Sequence, residues 1–151
     1  MIKREAGGDL RVVIDTNVLI SGLFGIKSSP SSQILQAVRN QKIILVTSPA
    51  ILEEVEIVMN RERIVKLTKM TLKERVKFIH QLIQRSDVTT GSQFLSGVSR
   101  DIKDDKFLSC AVEAKADYII TGDEDLLVIK AYQGIQIITP RVFLEILTKD
   151  N

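Results

Sequence analysis

Residues 11–24 read RVVIDTNVLISGLF. A run of apolar, β-branched residues, Val12, Val13 and Ile14, stops at an acid, Asp15. Two small polar residues, Thr16 and Asn17, follow before the hydrophobic pattern resumes. An apolar run without alternation is the mark of a strand covered on both faces, as in a parallel sheet between layers of helix. In such α/β folds ligands bind outside the carboxyl ends of the strands, near the point where strand order reverses. Asp15 falls at such an end, so the stretch suggests a fold class and raises the question of what the carboxylate serves.

Three further segments repeat the pattern: KIILVT (42–47), DYIIT (117–121) and IQIIT (135–139). Helical patterns separate them. SSQILQAVRN is short and amphipathic. PAILEEVEIVMN starts after Ser48 with Pro49 in the favoured first turn. TLKERVKFIHQLIQRS is longer, with Val76, Ile79, Leu82 and Ile83 on one side, and DDKFLSCAVEAKA and PRVFLEILTK follow. The order predicts a βαβ-type α/β fold with a mostly parallel sheet of four or five strands. Residues 88–100 are ambiguous, with a short strand expected near Phe94 to Val98. MIKREAGG (1–8) has little to bury and is expected to be a flexible arm, with 9–151 forming one domain.

The chain has 151 residues, 44% hydrophobic and 26% charged, which suits a globular core. The single Cys110 has no internal disulfide partner, and a reduced, cytoplasmic setting is expected. No apolar run is long enough to span a bilayer, and the start shows no secretion signal. Net charge is only +2, but its distribution is uneven. Seven basic residues lie between Arg61 and Lys77 against two acids, Glu62 and Glu74. Such a stripe tracks phosphates; a solvated pair of helices would carry the same charges. With no Trp and few other aromatics, a base-stacking sheet is not expected.

Helical geometry sorts the remaining acids. In the helix after Ser48, Ile51, Leu52, Val55, Val58 and Met59 form the apolar stripe. At about 100° per residue, Glu53 points away from it and Glu54 lies on its flank near the helix start. Asp104 shares a face with Phe107, Leu108 and Ala111, whereas Asp105 is about 100° off that face. Asp123 follows the third strand run by two residues, and Gly122 would ease the turn. Each acid has an ordinary explanation as a cap, turn former or surface charge. Taken together, inward-biased carboxylates repel by about 4 kcal/mol per close pair at an intermediate dielectric, so protons or cations must neutralise them. Oxygen donors without His or Cys select hard ions, Mg²⁺ or Mn²⁺. The single His80 is expected to be structural or exposed.

Four blocks, VVIDTNVLISGLF (12–24), TSPAILEEVEIVM (47–59), RDIKDDKFLSCAVEAKADYIITGDEDLL (100–127) and IQIITPRVFLEIL, resemble in order the PIN domain, a metal-dependent ribonuclease fold related to the PilT amino-terminal domain and to VapC-like toxins. The resemblance implies a three-layer α/β/α fold. Position by position, it places the family's acids on Asp15, Glu54, Asp104 and Asp123, as catalytic residues and metal ligands, with Asp101 and Asp125 as weaker ligands. Thr16, Asn17 and Thr121 would orient carboxylates or waters, and Arg61, Arg63 and Lys66 would position RNA phosphates. Where the third block usually reads Asp-Pro-x-Asp-Asn-Lys-Phe-Leu, Ile102 replaces the proline and Asp105 the asparagine. That touches loop rigidity but removes no ligand position.

The function implied is hydrolysis of RNA with one or two Mg²⁺ or Mn²⁺ ions. The closest subgroup comprises prokaryotic proteins described as toxins of toxin–antitoxin pairs, with an antitoxin partner and homodimerisation implied. A haloacid-dehalogenase-type site would want an Asp where Asn17 stands, and a response-regulator receiver an acidic pair at the first strand. The stronger alternative is a PIN-like module that binds protein or RNA with little nuclease activity.

Overall fold

A computed structural model describes residues 9–25, 28–93 and 95–149; the expected arm (1–8) and Phe94 lie outside them. The first strand, β1 (Leu10–Ile14), carries Val12, Val13 and Ile14, each at most 1% exposed. Successive strand residues point to opposite faces, so both faces of β1 are covered. The same holds for β4 (Tyr118–Ile120), whose three residues are 0% exposed.

After β1 come α1 (Thr16–Phe24), α2 (Pro30–Arg39), β2 (Ile43–Thr47), α3 (Pro49–Met59), α4 (Glu62–Thr68), α5 (Leu72–Arg85) and β3 (Ser86–Val88). A 3-10 turn at Ile102–Asp104 leads into α6 (Asp105–Ala114); β4, α7 (Glu124–Leu127), β5 (Ala131–Tyr132), β6 (Ile135–Ile138) and α8 (Pro140–Lys149) complete the chain. The sheet order is β3-β2-β1-β4-β6-β5. All neighbours are parallel except β5 with β6. The chain moves from β1 outward to β2 and β3, then returns to the other side of β1 for β4. Right-handed crossovers in these opposite senses put α1 and α2 on one face and α6 on the other. Accordingly α2 packs on α1 and α8, and α6 lies on β1, β2 and β4. This is the α/β/α arrangement the sequence predicts.

Among the described residues the sheet has six strands, not four or five. The additional ones are β3, of three residues, and β5, of two, at opposite edges. Edge strands this short carry too little apolar pattern to stand out. The strand expected near Phe94 to Val98 is not formed by the described residues there; the strand of this region lies earlier, pairing Ser86 to Val88 with Leu45 to Thr47. On α5 only Leu82 of the predicted apolar side is buried; Val76 is 60% and Ile83 42% exposed. Single-helix periodicity identifies an apolar face but cannot say whether another element covers it.

Order reverses at β1, which pairs with β2 on one side and β4 on the other. The crevice of the fold therefore opens between the ends of β1 and β4, at Asp15 and at the segment Thr121–Asp123.

Candidate metal centre

Asp15 is 5% exposed, directly beyond β1. Its backbone N–H donates to the Ile120 carbonyl (3.0 Å), which fixes it against β4. Its Oδ1 accepts the Asn17 N–H (3.3 Å) at the start of α1, and its Oδ2 accepts the Thr121 hydroxyl (2.6 Å). Thr121, fully buried, also accepts the Asp123 N–H (2.9 Å), and Asp123 Oδ1 caps α7 through the Asp125 N–H (2.9 Å). One buried hydroxyl thus ties the acids of the two central strands together. The Asn17 side chain is exposed, and its contribution to Asp15 is made by its backbone. At Gly122 an added Cβ would meet nothing within 4 Å, and the backbone is not left-handed. The turn itself therefore does not require glycine.

Glu54 lies part-buried on the flank of α3, as its helical position predicts, while Glu53 faces solvent. Ser48 caps this helix by accepting the Ile51 N–H (3.2 Å). Glu54 Oε2 accepts the Thr16 hydroxyl (2.5 Å), and Oε1 accepts from the ammonium of Lys106 (2.7 Å), which also donates to the Lys103 carbonyl (2.7 Å). Lys106 escaped the sequence reading. The signal was there, a cation embedded in an acid-rich block, but its reach across to α3 depends on how α6 and α3 meet.

Asp104, 8% exposed, ends the 3-10 turn that Asp101 caps by accepting the Lys103 N–H (3.0 Å). Carboxylate oxygens of Asp101, Asp104 and Asp125 all lie within 4.8 Å of one another. Among the described residues this is the one such group, so Asp15, Glu54 and Asp123 stand beside it rather than in it. The two acids ranked behind the others from the sequence are thus the ones that group with Asp104. Asp125 is paired with Arg100 (Nε to Oδ1, 2.9 Å), a second cation the sequence reading passed over.

Electrostatics link the two groups of acids. Burial pushes the Asp104 carboxyl up to about 7, helped by a hydrogen bond to the Asp123 carboxyl and by the charges of Asp123, Asp101 and Asp15. Burial also raises Asp15, against the opposing hydrogen bonds from Thr121 and Asn17; the charges of Glu54 and Asp123 add to the rise. Among the described residues, Asp104 Oδ2 is buried with no hydrogen-bond partner. A buried acceptor left unpaired is costly, and oxygen-only donors suit a hard divalent cation. The residues present therefore fit such an ion.

Asp105 departs from expectation. It lies off the core face but is 3% exposed, because residues 97–99 fold over that flank. Its two oxygens accept the Gly97 and Ser99 N–H groups, each at 2.8 Å. The candidate phosphate-positioning residues Arg61, Arg63 and Lys66 are exposed at α4, and Lys66 pairs with Glu62 (3.1 Å). α4 begins beyond the far end of α3 from Glu54, so these residues stand apart from the acids in the chain.

A carboxylate-rich crevice at the reversal point of a parallel sheet defines an α/β protein with a group of acids that could hold a metal ion. The chain belongs to the PIN domain family: the model of the PIN domain matches residues 11–125. It is also 32% identical, over 154 aligned positions covering 90% of each chain, to a protein of Methanocaldococcus jannaschii described only as uncharacterized. PIN domains are in general metal-dependent nucleases. Among the described residues no helix is long and apolar enough to cross a membrane.

Proposed function

We propose that this protein is a Mg²⁺- or Mn²⁺-dependent endoribonuclease acting through Asp15, Glu54, Asp104 and Asp123. The observation that carries the reading is Asp104: a buried carboxylate with an unpaired oxygen, drawn together with Asp101 and Asp125 at the sheet's reversal point. Asp101, Asp104 and Asp125 would hold the ion, with Asp123 and Asp15 alongside. When bound, the ion supplies an acidified water and neutralises charge on the phosphate. The chain's part is positional. Thr121 orients Asp15, and Thr16 with Lys106 orients Glu54. Arg61, Arg63 and Lys66 contribute affinity for the RNA backbone rather than sequence choice.

Cleavage of a generic RNA, required to depend on Mg²⁺ or Mn²⁺ and to vanish in Asp104→Asn and Asp15→Asn, tests this. Undiminished cleavage in EDTA refutes the metal mechanism. The biological role we favour is the toxin of a toxin–antitoxin pair in the cytoplasm of a prokaryote, its residues 9–151 acting as one unit. Growth arrest on expression, relieved by a neighbouring gene's product, is the check on that role.

A homodimer is supported by the exposed apolar stripe Leu72, Val76 and Ile83 on α5, beside Met59 and Ile79 in a groove of about 510 Å³. Sedimentation of the wild type against Val76→Glu tests it. The second reading, a binding module with little activity, is favoured by Glu54, whose oxygens already have protein partners. RNA binding with no Mn²⁺-dependent turnover would select it.

A further inference from the structure

A cavity of about 290 Å³ adjoins the carboxylates, on the other side of the first turn of α6. The turn is a shared wall: Ile102, between Asp101 and Asp104, and Lys106, the partner of Glu54, both line it. Facing them are Ala50 at the start of α3, and Gln93, Leu95 and Ser96 from the segment after β3. The described residues of that segment form no helix or strand of their own, yet they are firmly tied. Glu113 accepts both the N–H (2.9 Å) and the hydroxyl (2.8 Å) of Thr90 and the Gln93 N–H (3.1 Å). Ser109 accepts the Leu95 N–H (3.0 Å), and Asp105 takes the Gly97 and Ser99 N–H groups. Asp105, Ser109 and Glu113 recur at four-residue spacing along one face of α6, so a single helix face staples the loop. A connecting segment held this way serves to shape a surface rather than merely to join two elements.

We infer that this cavity seats one unpaired nucleobase of the RNA strand whose phosphodiester lies at the carboxylates. The inference rests on the nuclease reading above and deepens it. Its volume is near the lower bound of ligand sites, about 300 Å³, which suits a single heterocycle and excludes a duplex. Ala50, Leu95 and Ile102 offer apolar contact, and Ile102 is 70% exposed at a place where an isoleucine gains nothing from water. Gln93 and Ser96 supply polar groups for a base edge. Lys106 reaches both the cavity and the acids, so a phosphate and its neighbouring base fall within its span. Single-stranded RNA is read in this way, with bases splayed from the strand into side-chain pockets.

The test uses the full chain and an RNA oligonucleotide carrying one abasic site, walked along the sequence either side of the cleaved bond. In the wild type, removing the base at one position lowers kcat/KM about tenfold or more, the scale of one lost base contact, while other positions respond little. Ala50→Trp, which fills the cavity from an exposed site, cleaves the intact oligonucleotide as poorly as the abasic one. Ile102→Ala weakens the discrimination from the opposite wall should the tryptophan impair folding. Fluorescence anisotropy on Asp104→Asn protein repeats the series as affinity, without turnover. Metal-dependent cleavage with a flat response to the abasic position, or full discrimination in Ala50→Trp, overturns the base pocket and leaves the nuclease standing. A position-dependent affinity without cleavage does the reverse. RNA neither bound nor cleaved removes both.

Discussion

Lys106 and Glu54 form an ion pair within the acidic rim, Nζ to Oε1 at 2.7 Å, with both side chains less than 30% exposed. The pair supplies one of the positive charges that the crowded carboxylates require. It also sets a competition, because a divalent ion arriving beside Glu54 meets a resident cation. Lys106→Met is therefore expected to lower the stability of the metal-free protein, since it leaves a part-buried carboxylate with the Thr16 hydroxyl but without its counter-charge. The same change lets Mn²⁺ bind more tightly, because a repelling charge has gone. Calorimetric melting with and without Mn²⁺ checks both: the Mn²⁺-induced rise in Tm is larger in the variant than in the wild type.

Thr121 is the hinge between the two central strands' acids. Thr121→Val keeps the shape but removes the hydroxyl that donates to Asp15 and accepts from Asp123. Leaving the buried Asp15 Oδ2 and the part-buried Asp123 N–H without this partner costs about 1–3 kcal/mol. The Asp15 carboxyl, already raised by burial, rises further once its hydrogen bond is lost. Thr121→Ser retains the hydroxyl and is expected to retain most of the stability. Urea unfolding of the pair separates loss of the hydrogen bond from loss of packing.

The raised carboxyl of Asp104 makes a pH signature. In the folded protein it titrates near 7 rather than at 3.8, so between those values the folded state holds a proton that the unfolded state has released. Stability from this group is therefore complete below about pH 4 and declines as pH rises towards 7. In chelator, the wild type loses stability across that window relative to Asp104→Asn, which has no carboxyl there to titrate. Adding Mn²⁺ above pH 7 reverses the loss, because the ion binds the deprotonated form. Thermal melts of both proteins across pH 4–8 provide the measurement.

Asp105 is a structural anchor rather than a ligand in this arrangement. Asp105→Ala strands the Gly97 and Ser99 N–H groups and is expected to cost about 1–3 kcal/mol. Gly97, at φ +73°, holds a left-handed conformation that suits glycine, and the ties of Leu95 to Ser109 and of Thr90 and Gln93 to Glu113 confine the release to the end of the loop nearest Asp105. Faster hydrogen exchange at Gly97 and Ser99, with the amides of β1 and β4 unchanged, is the expected pattern.

Much of this protein is written in local pattern. Val12 to Ile14 and Tyr118 to Ile120 are apolar without alternation, and they are the fully covered central strands. Helical angle alone separates Glu54 from Glu53 and puts Asp104 on the buried side, because side-chain direction follows from a period of 3.6 residues. Periodicity states which way a side chain points along its own element. It does not state what arrives opposite. Only the tertiary structure sets β4 beside β1 and so brings Thr121 to Asp15. Only the packing of α6 on the sheet beside α3 carries Lys106 to Glu54, and only the fold of residues 97–99 over α6 turns Asp105 from a surface acid into a buried anchor. These pairs are separated by as many as 106 residues in the chain; their meeting is a property of the whole chain's burial of apolar surface, which no short window contains.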